Sequence, residues 1–394
     1  MNVKQMEMKK LTVSDKEWRF NRVREFLQTK GLKAMLVCGE ARREANIRYF
    51  TGQYHRIGLG INYVLFPVSG DPILFTATPE RQFNLVTYLS FIDDHWVKDA
   101  RVLSMDNMVK AFEEKELTLS SIGLTLDLIP AVDYLQLRQK LPHTEFIDIS
   151  SDYKSVRAVK SEGEISLAQE SARIVDISWD RVAREMKPGM YEHEVIALME
   201  DTMWQLDVDK TFNQSLCSRK DVSRPTWPST HSPKLIKDGD LFLAEITASY
   251  GGYYTQKVSL FSLGKPDTVA QELFDVCKIA HQKATQLISP GVNTKDIIVS
   301  IDRTIQDAGF LSSTQFPTGP HGHLMGLDVD EGTFLPGEDF ILETGMVLAI
   351  HPGAAISNWV VGESALFGPG SVYLVTKNGA KSLNQSPNGL VVID

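Results

Sequence analysis

The chain has 394 residues, 43% hydrophobic and 23% charged, enough for one large domain or two of ordinary size with ample core. A net charge of −9 argues against a nucleic-acid or other polyphosphate partner, which would need clustered Lys and Arg. No apolar run approaches the roughly 20 residues of a membrane helix, the charged start "MNVKQMEMKKLTVSDKEWRF" lacks the apolar centre of a signal peptide, and Cys38, Cys217 and Cys277 fit neither a zinc spacing nor a disulfide framework. The expectation is a cytoplasmic protein without a membrane association.

In chain order, "GLKAMLVCG" (from Gly31) predicts a short buried strand. "NYVLFPVSGDPILFT" alternates about Ser69-Gly70-Asp71 and predicts a β-hairpin. "SSIGLTLD" and "FIDIS" predict further strands, so the first 150 residues or so read as a smaller α/β domain. Near Ser151 the texture changes. Ile165, Ala168, Ala172, Val175, Trp179, Val182 and Met186 recur at steps of three and four, one apolar helical stripe that stops at Pro188-Gly189. The boundary is set at residues 153 and 154.

The stop recurs. "KPGMYEHEVIALMED" (from Lys187) and "SPGVNTKDIIVSIDR" (from Ser289) both place Pro-Gly and a polar turn between two helical patterns. The repetition predicts an internally duplicated second domain, two helix pairs covering a sheet, with a site between the halves. "LFLAEITASYGGYYTQKVSLFSLG" (from Leu241) alternates on both sides of Ser249-Tyr250-Gly251-Gly252. If those four residues form the turn, paired positions sum to about 501, which sets Glu245 opposite Gln256 on one face. A carboxylate facing an amide on the inner face of a sheet calls for something polar between them. "MVLAIHPGAA" sets His351 buried inside an apolar strand, where a core histidine bonded to a carbonyl is the alternative to a functional one. "PTGPHGHLMGLDVDEG" places His321 and His323 two residues apart.

Seven stretches, "RAVKSEGEI", "KPGMYEHEV", "IKDGDLFLAEI", "GGYYTQ", "HGHLMGLDV", "LETGMVLAIHPG" and "YLVTKNG", occur in the order found in the creatinase and Xaa-Pro aminopeptidase superfamily, which this chain resembles from Arg157 to its end. "NIRYFTG" resembles the N-terminal domain of creatinase. The resemblance implies a creatinase-type α/β domain over residues 1–153 and a pita-bread domain, α/β with an internal pseudo-two-fold, over 154–394. It implies a homodimer and a small-molecule substrate.

The resemblance also shows what is missing. The family's dinuclear site uses two Asp, one His and two Glu. Laid on that pattern, the positions fall on Glu245, Gln256, His323, His351 and Gly370, so only His323 is retained. One carboxylate, one amide and one glycine cannot offset two dications, and the dinuclear peptidase chemistry is expected to be absent. Two readings stay open. Glu245, His323 and His351 would hold a single Zn, Mn or Fe ion. Alternatively the site is metal-free, as in creatinase, with His231 in "RPTWPSTHSPKLIKDGD" as the acid–base group and Glu245 orienting water.

His321 would stand behind His323 or touch substrate. Tyr254 and Gln256 would bind substrate, and Arg56, after "YFTGQYH", would reach a neighbouring subunit's substrate carboxylate or simply be a solvated surface residue. Asp330 stands where the peptidases keep another histidine, though "DVDEG" suits a surface turn. Glu363, in an apparent loop insertion, would add a carboxylate only if that loop folded back into the site. The functional expectation is a hydrolase of a C–N bond (amide, amidino or cyclic amide). The alternatives are a mononuclear metalloenzyme, hydrolytic or oxidative, and an Xaa-Pro peptidase or non-catalytic peptide-binding relative. Four polar groups around one pocket, His231, Glu245, His323 and His351, speak against the non-catalytic one.

Overall fold

A computed structural model describes residues 9–40, 43–52, 60–79, 92, 95–218, 234–315, 319–335, 337, 339–356 and 365–394. Arg56, His231 and Glu363 lie outside the described residues. The chain divides into two compact units. One runs through Arg157 and includes Ser161–Ser166; the other comprises Ala158–Lys160 and Leu167–Asp394.

The first unit holds α1 (Val13–Thr29), β1 (Ala34–Gly39), α2 (Ala45–Thr51), β2 (Asn62–Pro67), β3 (Ile73–Thr76), β4 (Asp99–Val102), α3 (Met105–Glu114), β5 (Ser121–Leu124), α4 (Ala131–Lys140), β6 (Glu145–Asp148) and α5 (Ser150–Ala158). Its strands form one mixed sheet in the order β4-β3-β2-β1-β5-β6. The expected hairpin is present, with Val64 opposite Leu74 and Gly70 supplying the positive φ of the turn. β1 is buried throughout, as its unbroken apolar run requires. Fully buried Arg19 donates to Glu164 at 2.9 Å and to the Tyr49 carbonyl at 2.8 Å, and its guanidinium lies 4.9 and 4.8 Å from the rings of Tyr49 and Trp96.

The second unit carries both helix pairs, α6 (Glu162–Glu185, of which Leu167 onward belongs to this unit) with α7 (Glu192–Gln205), and α8 (Thr268–Leu287) with α9 (Thr294–Asp307). Each pair is interrupted at a Pro-Gly whose glycine, Gly189 or Gly291, takes a positive φ. The predicted stripe of α6 is the buried one: Ala168, Ala172, Val175, Trp179 and Val182 all face the interior.

Between the pairs run β7 (Lys210–Thr211), β8 (Gln214–Ser218), β9 (Leu241–Tyr250) and β10 (Tyr253–Leu263). After them come β11 (Leu311–Ser312), β12 (Gly322–Leu324), β13 (Gly332–Thr333), β14 (Val347–Ile350), β15 (Gly353–Ala355), β16 (Ala365–Phe367), β17 (Ser371–Thr376), β18 (Gly379–Ser382) and β19 (Val391–Ile393). One sheet orders β19-β10-β9-β7, with β8 also on β9; another orders β13-β12-β14-β17-β18. The bridge Val258–Gly370 links them, with hydrogen bonds of 3.1 and 2.9 Å in the two directions.

The register of the β9–β10 hairpin corrects the expectation. Tyr250 pairs Tyr253, Thr247 pairs Gln256 and Glu245 pairs Val258, not Gln256. The turn is the two residues Gly251-Gly252, with φ of 60° and 90°, and not the four from Ser249. A shift of two residues preserves the face of every side chain, so Glu245 and Gln256 still point the same way, as diagonal neighbours.

Candidate active site

Strand alternation assigns each side of the β9–β10 hairpin. Thr255 and Ser259 meet α6: Thr255 Oγ1 lies 2.8 Å from Ser171 Oγ, and Trp179 Nε1 donates to Ser259 Oγ at 2.8 Å. The opposite face therefore carries Glu245, Thr247 and Ser249 from β9, and Tyr254, Gln256 and Val258 from β10. Pairing extends that face into the second sheet. Val258 bridges Gly370, the next residue Ser371 pairs Ile350, and the His351 N–H donates to the His321 carbonyl at 2.8 Å. Glu245, Val258, Gly370, His351 and His321 thus form one cross-strand row, and His323 lies two residues along from His321 on the same face.

The row has unequal members. Glu245 is half-buried and in dense surroundings, and that burial pushes its carboxyl up to about 7. The His323 and His351 rings are adjacent, with centroids 5.3 Å apart. Burial holds His323 below its usual value against the pull of Asp330 and two backbone carbonyls. Burial, then the nearby His323 and His321, push His351 down to about 3. Both imidazoles are consequently neutral at neutral pH, and Glu245 is close to half-ionised.

His321 is fully buried, with partners on both nitrogens. Nε2 lies 2.9 Å from Asp302 Oδ1 and 2.8 Å from Ser312 Oγ, and Nδ1 lies 3.1 Å from Ser313 Oγ. Of the two roles open to it in the sequence, this arrangement favours standing behind the site over touching substrate. Burial pushes Asp302 upward, but the hydrogen bonds from His321, Ser312 and Thr314 prevail and hold it below its ordinary value. Asp330 is exposed and accepts from the Gly332 N–H at 2.8 Å, a turn-capping residue. Tyr254 is half-buried, and its N–H donates to the Gly326 carbonyl at 2.8 Å, which ties the hairpin to the loop after His323.

Sequence reasoning missed three features. Lys160 and Glu331 form a fully buried ion pair at 2.9 Å, and Glu331 also accepts from the Leu327 N–H, which fixes the loop after His323. Lys257 is fully buried on the helix-facing side, with Nζ near Ser371 Oγ (3.1 Å), the Ser386 carbonyl (3.1 Å) and Asn388 Oδ1. Burial drives its ammonium down to about 8 against the pull of Asp176. Third, Gln256 Oε1 and Nε2, Thr247 Oγ1 and Ser249 Oγ are buried without hydrogen-bond partners. The one available signal for the third was polarity itself: polar side chains at 247, 249 and 256, which alternation sets on one face of the hairpin.

Residues 166–377 match Metallopeptidase family M24, and residues 19–159 match the Creatinase/Prolidase N-terminal domain. The chain belongs to the M24 family. The Xaa-Pro dipeptidase of Pyrococcus horikoshii is 25% identical to it over 381 residues, covering 95% of this chain and 98% of the relative. Creatinase of Bacillus sp. (strain B-0618) is 22% identical over 400 residues, covering 94% and 90%. The solved prolidase of Pyrococcus horikoshii superposes with a TM-score of 0.77 at 23% identity over 95% of this chain and 99% of that one. The Xaa-Pro dipeptidase of Bacillus anthracis does so with 0.79 at 19%, over 96% and 100%. These likenesses show the fold, a creatinase-type α/β domain followed by a pita-bread domain. The family is one of hydrolases acting on C–N bonds.

The M24 name implies metal, and the donors of this chain do not fit it. The five positions expected to ligate offer one carboxylate, one amide, two neutral imidazoles and a glycine, too little negative charge for two dications. Gly370 has no room for a side chain: a Cβ there would stand 2.7 Å from the Val258 Cβ and 2.9 Å from the His351 Cβ. The single-ion set of Glu245, His323 and His351 is not assembled either, a correction to that expectation. Among the described residues no three His, Cys, Asp or Glu side chains are grouped to hold a metal ion.

Proposed function

We propose that this M24 chain hydrolyses a C–N bond of a small molecule without routing any step through a metal. Glu245 is the general base, and neutral His323 and His351 are the groups that orient water and the acyl oxygen. The observation that carries this reading is the Glu245 carboxyl, the single carboxylate among the described residues of that face, held at about 7 by burial. Above that pH the carboxylate takes a proton from water as the water oxygen adds to the acyl carbon. An imidazole N–H donates to the oxygen that gains charge. The carboxylic acid so formed returns its proton to the leaving nitrogen as the C–N bond breaks, leaving a carboxylic acid and an amine. Resemblance to creatinase makes His231 a second candidate for that last proton transfer.

The test is turnover of a panel of small amides, lactams and Xaa-Pro dipeptides by the wild type and Glu245→Gln, with and without a chelator. The expected result is chelator-insensitive hydrolysis that Glu245→Gln lowers by roughly 10²–10⁴-fold. Cobalt- or manganese-stimulated cleavage of an Xaa-Pro dipeptide would overturn the reading.

A further inference from the structure

The two faces of the β9–β10 hairpin treat their polar side chains differently. On the α6 side the hydroxyls of Thr255 and Ser259 are bonded to Ser171 and Trp179. On the Glu245 side Thr247 Oγ1, Ser249 Oγ and both polar atoms of Gln256 have neither partner nor solvent, and Gln256 is 1% exposed. Thr247 and Gln256 are direct cross-strand neighbours yet do not bond each other. Buried polar groups in folded proteins almost always find partners, so an orphaned set gathered on one face calls for a molecule that supplies them. The face meets solvent at half-buried Glu245 and Tyr254, which bracket the Thr247–Gln256 pair.

From the Gln256 amide we infer a substrate class: a neutral small molecule with a planar cis N–H/C=O edge (a lactam, cyclic urea or primary carboxamide) that pairs with Gln256 through two hydrogen bonds. This rests on the reading of the face as a C–N hydrolase site and narrows it. The side-chain amide presents one acceptor, Oε1, beside one donor, Nε2–H, in a plane, and a cis-amide edge presents the complementary donor and acceptor. Thr247 and Ser249 add hydroxyls that turn to either role. The described residues of the face contribute no lysine or arginine to hold a substrate carboxylate, since Lys257 points to the other side. A bond to proline nitrogen carries no N–H and leaves Oε1 unpaired, so the same edge disfavours an Xaa-Pro substrate.

The experiment is an NMR titration with 2-pyrrolidinone, which has the edge, and N-methyl-2-pyrrolidinone, which has lost its N–H. The wild type is expected to bind the first and to bind the methylated compound roughly 10- to 100-fold more weakly. Gln256→Met is expected to lose the discrimination. Gln256→Glu is expected to exchange its preference for protonated 2-iminopyrrolidine, whose two N–H donors match a carboxylate. Equal binding of the two lactams by the wild type, no binding of either, or discrimination that survives Gln256→Met would overturn the inference. If Gln256→Met does not fold, the wild-type comparison alone decides. Glu245→Gln separates the two proposals: lactam binding with turnover unaffected by that change sinks the proposed catalysis alone. Turnover that depends on Glu245 without lactam discrimination sinks the substrate class alone.

Discussion

The raised Glu245 carboxyl makes a prediction about stability that is independent of any substrate. A carboxyl near 7 in the folded chain and near its ordinary 4.5 in the unfolded one binds more protons folded than unfolded between those two values. Stability therefore falls as pH rises from about 4.5 to about 7, and the full cost is present above 7. At ~1.4 kcal/mol per decade that cost amounts to about 3 kcal/mol. Glu245→Gln keeps the size and hydrogen-bonding capacity of the side chain and removes the charge. The variant should match the wild type near pH 4.5 and exceed it by as much as ~3 kcal/mol at pH 8, while losing its activity. Urea unfolding of both proteins at pH 5, 6, 7 and 8 measures the difference. A gap that stays constant with pH, or a wild type more stable than the variant at pH 8, would refute the claim that burial holds this carboxyl up.

Two other buried charges give predictions of different form. Lys160→Met removes the cation paired with the buried Glu331 carboxyl and should cost about 3–5 kcal/mol in urea unfolding, with Lys160→Met/Glu331→Gln recovering most of it. A double variant as unstable as the single one would contradict this. Lys257 loses its proton near 8 in the folded chain and at its ordinary 10.5 when unfolded, so its contribution to stability should rise with pH between those values. Unfolding of the wild type against Lys257→Met across pH 7.5 to 10.5 checks it, and parallel curves would count against a depressed lysine.

Local pattern carried the larger outlines. Helical period located the buried stripe of α6, and the two Pro-Gly stops located both helix pairs, because periodicity and a breaker are properties of neighbouring residues. The hairpin register was two residues out because Ser249-Tyr250-Gly251-Gly252 is compatible with a two- or a four-residue turn. The face assignment survived because strand alternation repeats every two residues. What the sequence could not reveal were partners far apart along it. Lys160 and Glu331 are separated by 171 positions, and nothing near either residue announces the other. Polar character at 247, 249 and 256 was visible; the missing partners were not, since satisfaction is a property of packing.

The same row explains why the M24 fold persists here while the donor set has changed. What holds Glu245, Val258, Gly370, His351 and His321 in line is backbone pairing, which is indifferent to side-chain identity. With Gly370 in place the row closes tightly, Val258 Cβ and His351 Cβ standing where a longer residue would need space. With His351 neutral and Gln256 uncharged, Glu245 stands as the single carboxylate among the described residues of the face, which lets burial rather than a cation set its proton affinity. Restoring a carboxylate at one position would place like charge near Glu245 without the charges needed to bind a dication, and at Gly370 it would also clash. In the proposed reaction such a site relies on buried, neutral hydrogen-bonding groups in place of metal-held charge, and each residue in it makes chemical sense only beside the others.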